Sequence, residues 1–97
     1  MTYSFTAELW LWEGDGAWHF VSLPEDVADE IEHLYGASAA GFGSLRVEVQ
    51  VGDTTWRTSV FPDRKRATYV LPMKKAVRAK EGLAAGDAVA VALDVVV

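Results

Sequence analysis

Between Phe5 and Trp12 the chain alternates: Phe5, Ala7, Leu9 and Leu11 fall on one side, Thr6, Glu8, Trp10 and Trp12 on the other. A period of two marks a strand. The two tryptophans mean that the second side is partly covered as well, as in a small barrel or an interface. Gly14-Asp15-Gly16 supplies the positive φ angles of a hairpin turn, so Trp18 to Val21 is expected to return as a second strand. The alternation is cleanest from Leu45 to Val51, with Leu45, Val47, Val49 and Val51 inward and Arg46, Glu48 and Gln50 outward. Gly52-Asp53 turns this strand into its partner, Thr54 to Phe61. After the polar loop Pro62-Asp63-Arg64-Lys65-Arg66, a short strand is expected from Ala67 to Leu71. A last strand follows Asp87, with Val89, Val91, Leu93 and Val95 on one face and the small Ala88, Ala90 and Ala92 on the other.

Two segments change to helical spacing. Val27, Ile31, Leu34 and Tyr35 predict one buried helix face. Ser22 and Glu25 have the spacing of a capping box, Pro24 suits the first turn, and Gly36 suits the position just past the end. Glu25, Asp26 and Asp29 stand where the helix dipole favours anions. A second helix is expected from Pro72 to Glu81, burying Met73, Ala76 and Val77 and stopped by Gly82. Six strands and two short helices without a βαβ rhythm predict a mainly β, small α+β protein. So many antiparallel strands in one short chain manage their edges best by closing into a barrel.

Composition narrows this picture. Ninety-seven residues with 51% hydrophobic and 24% charged content make one globular domain, residues 1–97. Without cysteine there are no disulfides and no thiolate metal sites. Met1 to Phe5 lacks the charged and apolar regions of a signal peptide, and no apolar run nears the roughly 18 residues of a membrane span. A cytoplasmic protein of bacterial type, with no membrane partner, is therefore expected.

The net charge of −5 is unevenly spread. Met1 to Leu45 holds Glu8, Glu13, Asp15, Glu25, Asp26, Asp29, Glu30 and Glu32 and no Lys or Arg. Arg57 to Lys80 holds Arg57, Arg64, Lys65, Arg66, Lys74, Lys75, Arg78 and Lys80 against the single acid Asp63. An acidic protein is a poor bulk nucleic-acid binder, but a segregated basic segment keeps an anionic partner open. The structural alternative is that the two halves pair with each other, within one chain or across a dimer.

Several blocks together resemble a known family. They are Phe5-x-Ala7, Trp18-x-Phe20-Val21 with Leu23-Pro24, Arg46-Val47-x-Val49, and Trp56-Arg57-Thr58-Ser59-Val60-Phe61-Pro62. The most specific are Leu71-Pro72-x-Lys74-Lys75-x-Val77-Arg78 and Gly86-Asp87-x-Val89-x-Val91-x-Leu93. Over nearly its whole length the chain resembles the small bacterial and archaeal DUF1905 family. The resemblance implies a six-stranded barrel of the double-split type, the class also used by swapped-hairpin transcription regulators and antitoxins. It carries no established activity.

The candidate chemistry is sparse. His19 and His33 are the only histidines, there is no Gly-x-Ser-x-Gly, and a base needs a nucleophile and an orienting partner within reach. Surface or packed histidines are the simpler reading. Glu30-x-x-His33 has the spacing of a di-iron motif, but such a site needs two copies on a four-helix bundle. Neither Gly41-Phe42-Gly43 nor Gly82 to Gly86 has the context of a phosphate loop. No enzyme, metal or cofactor is expected. Trp10, Trp12, Trp18 and Trp56 read as core or dimer interface, with a ligand-stacking lining as the alternative.

The second helix is the exception. Lys74 and Lys75 in its expected first turn oppose the dipole, and Arg78 repels Lys74 at i,i+4. A broken local rule points to function. Lys74, Lys75 and Arg78, with the N–H groups of Met73, Lys74 and Lys75, form a candidate anion-binding site. Arg57, Arg64, Lys65 and Arg66 form a candidate basic surface. The expected function is a non-enzymatic binding or interaction module with a small anionic ligand. A nucleic-acid-binding regulator, related by fold to swapped-hairpin transcription factors, is the alternative. A homodimer is expected through Trp10 and Trp12 and through the alanine face of the last strand.

Overall fold

The structure, a computed structural model, describes residues 1–96, the side chain of Phe42 excepted. Six strands form the frame: β1 (Thr2–Leu11), β2 (His19–Ser22), β3 (Leu45–Val51), β4 (Thr54–Asp63), β5 (Thr68–Pro72) and β6 (Ala88–Val95). Helix α1 (Glu25–Tyr35) follows β2, and helix α2 (Lys75–Glu81) joins β5 to β6. All neighbours are antiparallel, and the order β1-β2-β5-β4-β3-β6 closes on itself as a barrel. Closure removes the exposed edges that six open strands would leave.

Two long strands make the closure possible by changing partner part-way. Strand β1 pairs with β6 from Thr2 to Glu8, then with β2 from Leu9 to Leu11. Strand β4 pairs with β3 from Thr54 to Val60, then with β5 from Phe61 to Asp63. The alternation decides what lies inside. Leu9, Val21 and Leu71 form one inward row across β1, β2 and β5, and each is completely buried. Val47, Val49, Val60, Val89 and Leu93 fill the other walls. Ile31 of α1, with Met73 and Val77 beside and within α2, plugs the remaining openings.

Local expectations fail where tertiary pairing competes. Ser22 does not cap α1: it belongs to β2, and its Oγ accepts a hydrogen bond from Trp10 Nε1 at 3.0 Å. Gly36 is right-handed at φ −55° and leads into a short 3₁₀ turn instead of ending the helix in the left-handed region. Leu34 and Ala76, expected inside, are exposed, and Ala28 takes the buried place in α1. Leu11 is exposed because β1 has passed the rim of the barrel there. Helix α2 begins at Lys75 and not at Pro72, because Pro72 still pairs with Phe20 and the Met73 N–H is donated to the His19 carbonyl. Gly82, at φ +66°, ends α2 as expected.

Candidate functional site

The outward rows of the same strands are aromatic. Pairing aligns Trp10 of β1, Phe20 of β2 and Pro72 of β5 in one row, and sets Phe61 of β4 beside Val70 of β5. Trp12 and Trp18 extend this surface beyond the strands, where the Trp12 N–H is donated to the Trp18 carbonyl at 2.9 Å. The result is an open groove of about 620 Å³ running over β5, floored by rings and bordered by the β4–β5 turn. Trp12, Trp18 and Phe61 are 43%, 56% and 42% exposed, unusual for side chains of this size.

The rings are held from below and from the side. Trp18 lies nearly parallel to Phe20, with centroids 6.3 Å apart and 10° between planes. Trp10 packs on Phe20 at 5.2 Å, and the Arg66 guanidinium sits 4.0 Å above its ring as a cation–π contact. Arg66 is fixed in turn by Asp63, through its side chain at 2.9 Å and its backbone N–H at 3.2 Å. Partial burial alone would raise the Asp63 pKa; hydrogen bonds from Arg66 and its charge outweigh this and hold the carboxyl below its ordinary value. Arg64 and Lys65 project from the same turn into the groove lining.

A second, smaller cleft of about 270 Å³ adjoins the groove. Trp18 and Pro72 line both. Ala17, His19, Met73, Lys74, Lys75 and Arg78 complete the cleft. His19 donates from Nδ1 to the Ala17 carbonyl at 2.9 Å, which leaves Nε2 as its other polar atom. Arg78 is half-buried and its Nε donates to the Met73 carbonyl at 2.9 Å, so part of its role is to fasten the segment that enters α2.

The structure thus brings Arg64, Lys65 and Arg66 to the groove, at the start of β5, and Lys74, Lys75 and Arg78 to the adjoining cleft, past its end. It separates Arg57, which pairs with Glu48 of β3 at 3.4 Å on another part of the wall. It also revises the electrostatic argument for α2. Lys74 precedes the helix, and Arg78 and Lys80 fall in its last turn, where the dipole favours them; Lys75 alone opposes it from within the helix. The Met73 N–H is already engaged, so the cleft offers side-chain cations more than backbone donors. Among the described residues the ion pairs are Arg57–Glu48 and Arg66–Asp63. Neither involves an acid from the N-terminal stretch, so among the described residues the acidic and basic halves form no ion pair with each other.

Of the four tryptophans, only Trp56 is core. Phe20 and Phe61 are not among the candidate site residues of the sequence, where His19 reads as a surface or packed histidine. The parity of the strands carried the signal: Val21 and Val60 face inward, so Phe20 and Phe61 must face outward. Ala88 and Ala90 are exposed on the outer face of β6 opposite Glu8 and Thr6, apart from the groove. No group of three or more His, Asp or Glu side chains converges to hold a metal among the described residues. No helix among them is long and apolar enough to cross a membrane.

The family model of DUF1905, a domain of unknown function, matches residues 5–93. The chain belongs to the DUF1905 family. No curated protein matches it significantly. The residues that line the aromatic groove and the basic cleft all lie within the DUF1905 match.

Proposed function

We propose that this DUF1905 protein is a non-enzymatic binding module for an anionic ligand, held by Lys74, Lys75 and Arg78 beside Trp18 and His19. One observation carries the reading: Lys74 and Lys75 stand exposed at an apolar cleft with no carboxylate in ion-pair reach among the described residues. Cations kept beside an apolar wall gain most from a partner that brings both negative charge and a hydrophobic body. A nucleic-acid ligand is a special case of this reading, with phosphates as the anions.

The test is thermal unfolding with and without inorganic phosphate, on the parent and on Lys74→Ala/Lys75→Ala. Arg78 is kept in place because its bond to the Met73 carbonyl supports the fold. A ligand that binds only the native state raises Tm by mass action. Phosphate is expected to raise the parent Tm by several degrees, since about 1 kcal/mol moves Tm by roughly 4–8 °C in a domain this small. The rise should vanish in the variant. A parent that ignores phosphate removes the reading.

The homodimer belongs to the same proposal, with the exposed Ala88 and Ala90 as its close-packing face. Sedimentation at high protein concentration tests it, and a strict monomer removes it.

A further inference from the structure

We propose that the aromatic groove binds single-stranded nucleic acid, its bases stacking on Trp12, Trp18 and Phe61 and its phosphates meeting Arg64, Lys65, Lys74 and Lys75. This rests on the anion-binding reading above and adds the class of ligand and the role of the rings. Three features of the groove point the same way.

The first is the kind of hydrophobic surface it offers. Rings and prolines dominate the lining; Val70 is its one aliphatic side chain, and it is nearly buried. A surface for lipid or for a protein partner's core would offer leucine, isoleucine or methionine. Ring faces offer stacking, and every base has a face to stack. Trp18 lies nearly parallel to Phe20 and is 56% exposed, so it can take a base without displacing other side chains of the barrel.

The second is where the charges stand. The two basic clusters lie at opposite ends of β5, whose five residues rise about 16 Å at the usual strand spacing. Phe61, Trp10 and Phe20 lie along β5 between them, and Trp12 and Trp18 stand beside Lys74 at the far end. Rings flanked by cations on both sides suit a strand in which phosphates and bases alternate over a few nucleotides. The one carboxylate in the lining, Asp63, is taken by Arg66, so it does not repel phosphate as a lone charge would.

The third is what the rings exclude. In a duplex the base faces are already stacked within the helix, so exposed tryptophans would have nothing to stack on. The acids of α1 and the net charge of −5 oppose bulk attraction of polyanions, so stacking must supply part of the affinity.

Fluorescence anisotropy with labelled twelve-nucleotide strands of thymidine and of adenosine, as DNA and as RNA, tests this. Controls are an abasic sugar–phosphate strand of equal length and a duplex. Base-bearing single strands are expected to bind at least about tenfold more tightly than the abasic strand, and to quench tryptophan emission. The four named cations predict a slope of log affinity against log salt of about −3. Trp12→Ala/Trp18→Ala should lose about tenfold or more, with Trp12→Phe/Trp18→Phe restoring most of it. Lys74→Ala/Lys75→Ala should weaken both strand types and flatten the salt slope. Thermal melts confirm that each variant is folded.

Equal binding of abasic and base-bearing strands overturns the stacking proposal while the anion-binding reading survives. Tighter binding of the duplex overturns it too. Absence of binding to every strand and to phosphate ends both. Self-association that disappears in Trp12→Ala/Trp18→Ala, with no strand bound by the parent, means that a second copy of the chain covers the rings, and the proposal fails.

Discussion

Leu9, Val21 and Leu71 form a row across β1, β2 and β5, and one residue away Trp10, Phe20 and Pro72 form the next. The first row faces inward and is completely buried; the second faces outward beneath a groove whose outer rings are about half exposed. The same backbone therefore carries two hydrophobic surfaces of different kinds. Inside, branched aliphatic chains fill a narrow six-stranded barrel to high density. Outside, Trp10 is covered by Arg66, whereas Trp12, Trp18 and Phe61 stay about half open to water. Hydrophobicity inside makes the fold, whereas outside it is available for contact.

The comparison breaks if the outer rings prove as important to stability as the inner row. Leu71→Ala should have the largest effect, destabilising by about 2–5 kcal/mol in urea or thermal unfolding, as cavity-forming changes in sealed cores do. Trp18→Ala, at a position of similar hydrophobicity but open to water, should stay within about 0.5 kcal/mol of the parent. A loss at Trp18 equal to that at Leu71 would make the groove structural.

Arg66→Ala should fall between these extremes. It removes an exposed ion pair and a cation–π contact, each worth about 0.5–1 kcal/mol, so a loss near 1 kcal/mol by chemical denaturation is expected.

Polar groups follow the same division. Tyr69 of β5 is buried, and its hydroxyl donates to Glu32 of α1 at 2.5 Å, tying the helix to the barrel. Burial first, then the hydrogen bond and charge of Glu32, push its pKa up to about 12. The folded state prefers the protonated phenol. That preference contributes fully below the ordinary value of 10.0 and is lost as pH climbs from there towards about 12. Stability of the parent should fall across this window, and in Tyr69→Phe the fall should be shallower. Identical alkaline profiles would show that the Tyr69–Glu32 contact does not hold α1.

The smallest effect is expected at the outer cations. Lys74→Ala/Lys75→Ala removes charge that opposes the α2 dipole, so stability should rise by about 0.3–1 kcal/mol at low salt and be unchanged at high salt. A clear loss of stability would mean that these lysines support the fold.

Much of this architecture was legible in the chain. Period-two alternation located β1, β3 and β6, the turns Gly14-Asp15-Gly16 and Gly52-Asp53 implied the returning β2 and β4, and helical spacing marked α1, because these signals depend on neighbours in sequence. Alternation also sorted residues into two faces. It did not say how deep each would lie: Leu9 and Leu11 share a face, yet one is sealed and the other exposed, since β1 crosses the barrel rim between them. Nor could it assign Ser22, which has the chemistry of a cap and was taken by Trp10 across the sheet. The lysines and arginines were visible as a run, but their sorting was not. Closure of the barrel sent Arg57 to one part of the wall, put Arg64 and Lys74 at opposite ends of β5, and turned Trp10, Phe20 and Phe61 outward between them. Local propensity and periodicity are written residue by residue. The meeting of side chains from β1, β2, β4 and β5 on one face depends on which strands pair and in what register, which only the closed sheet decides.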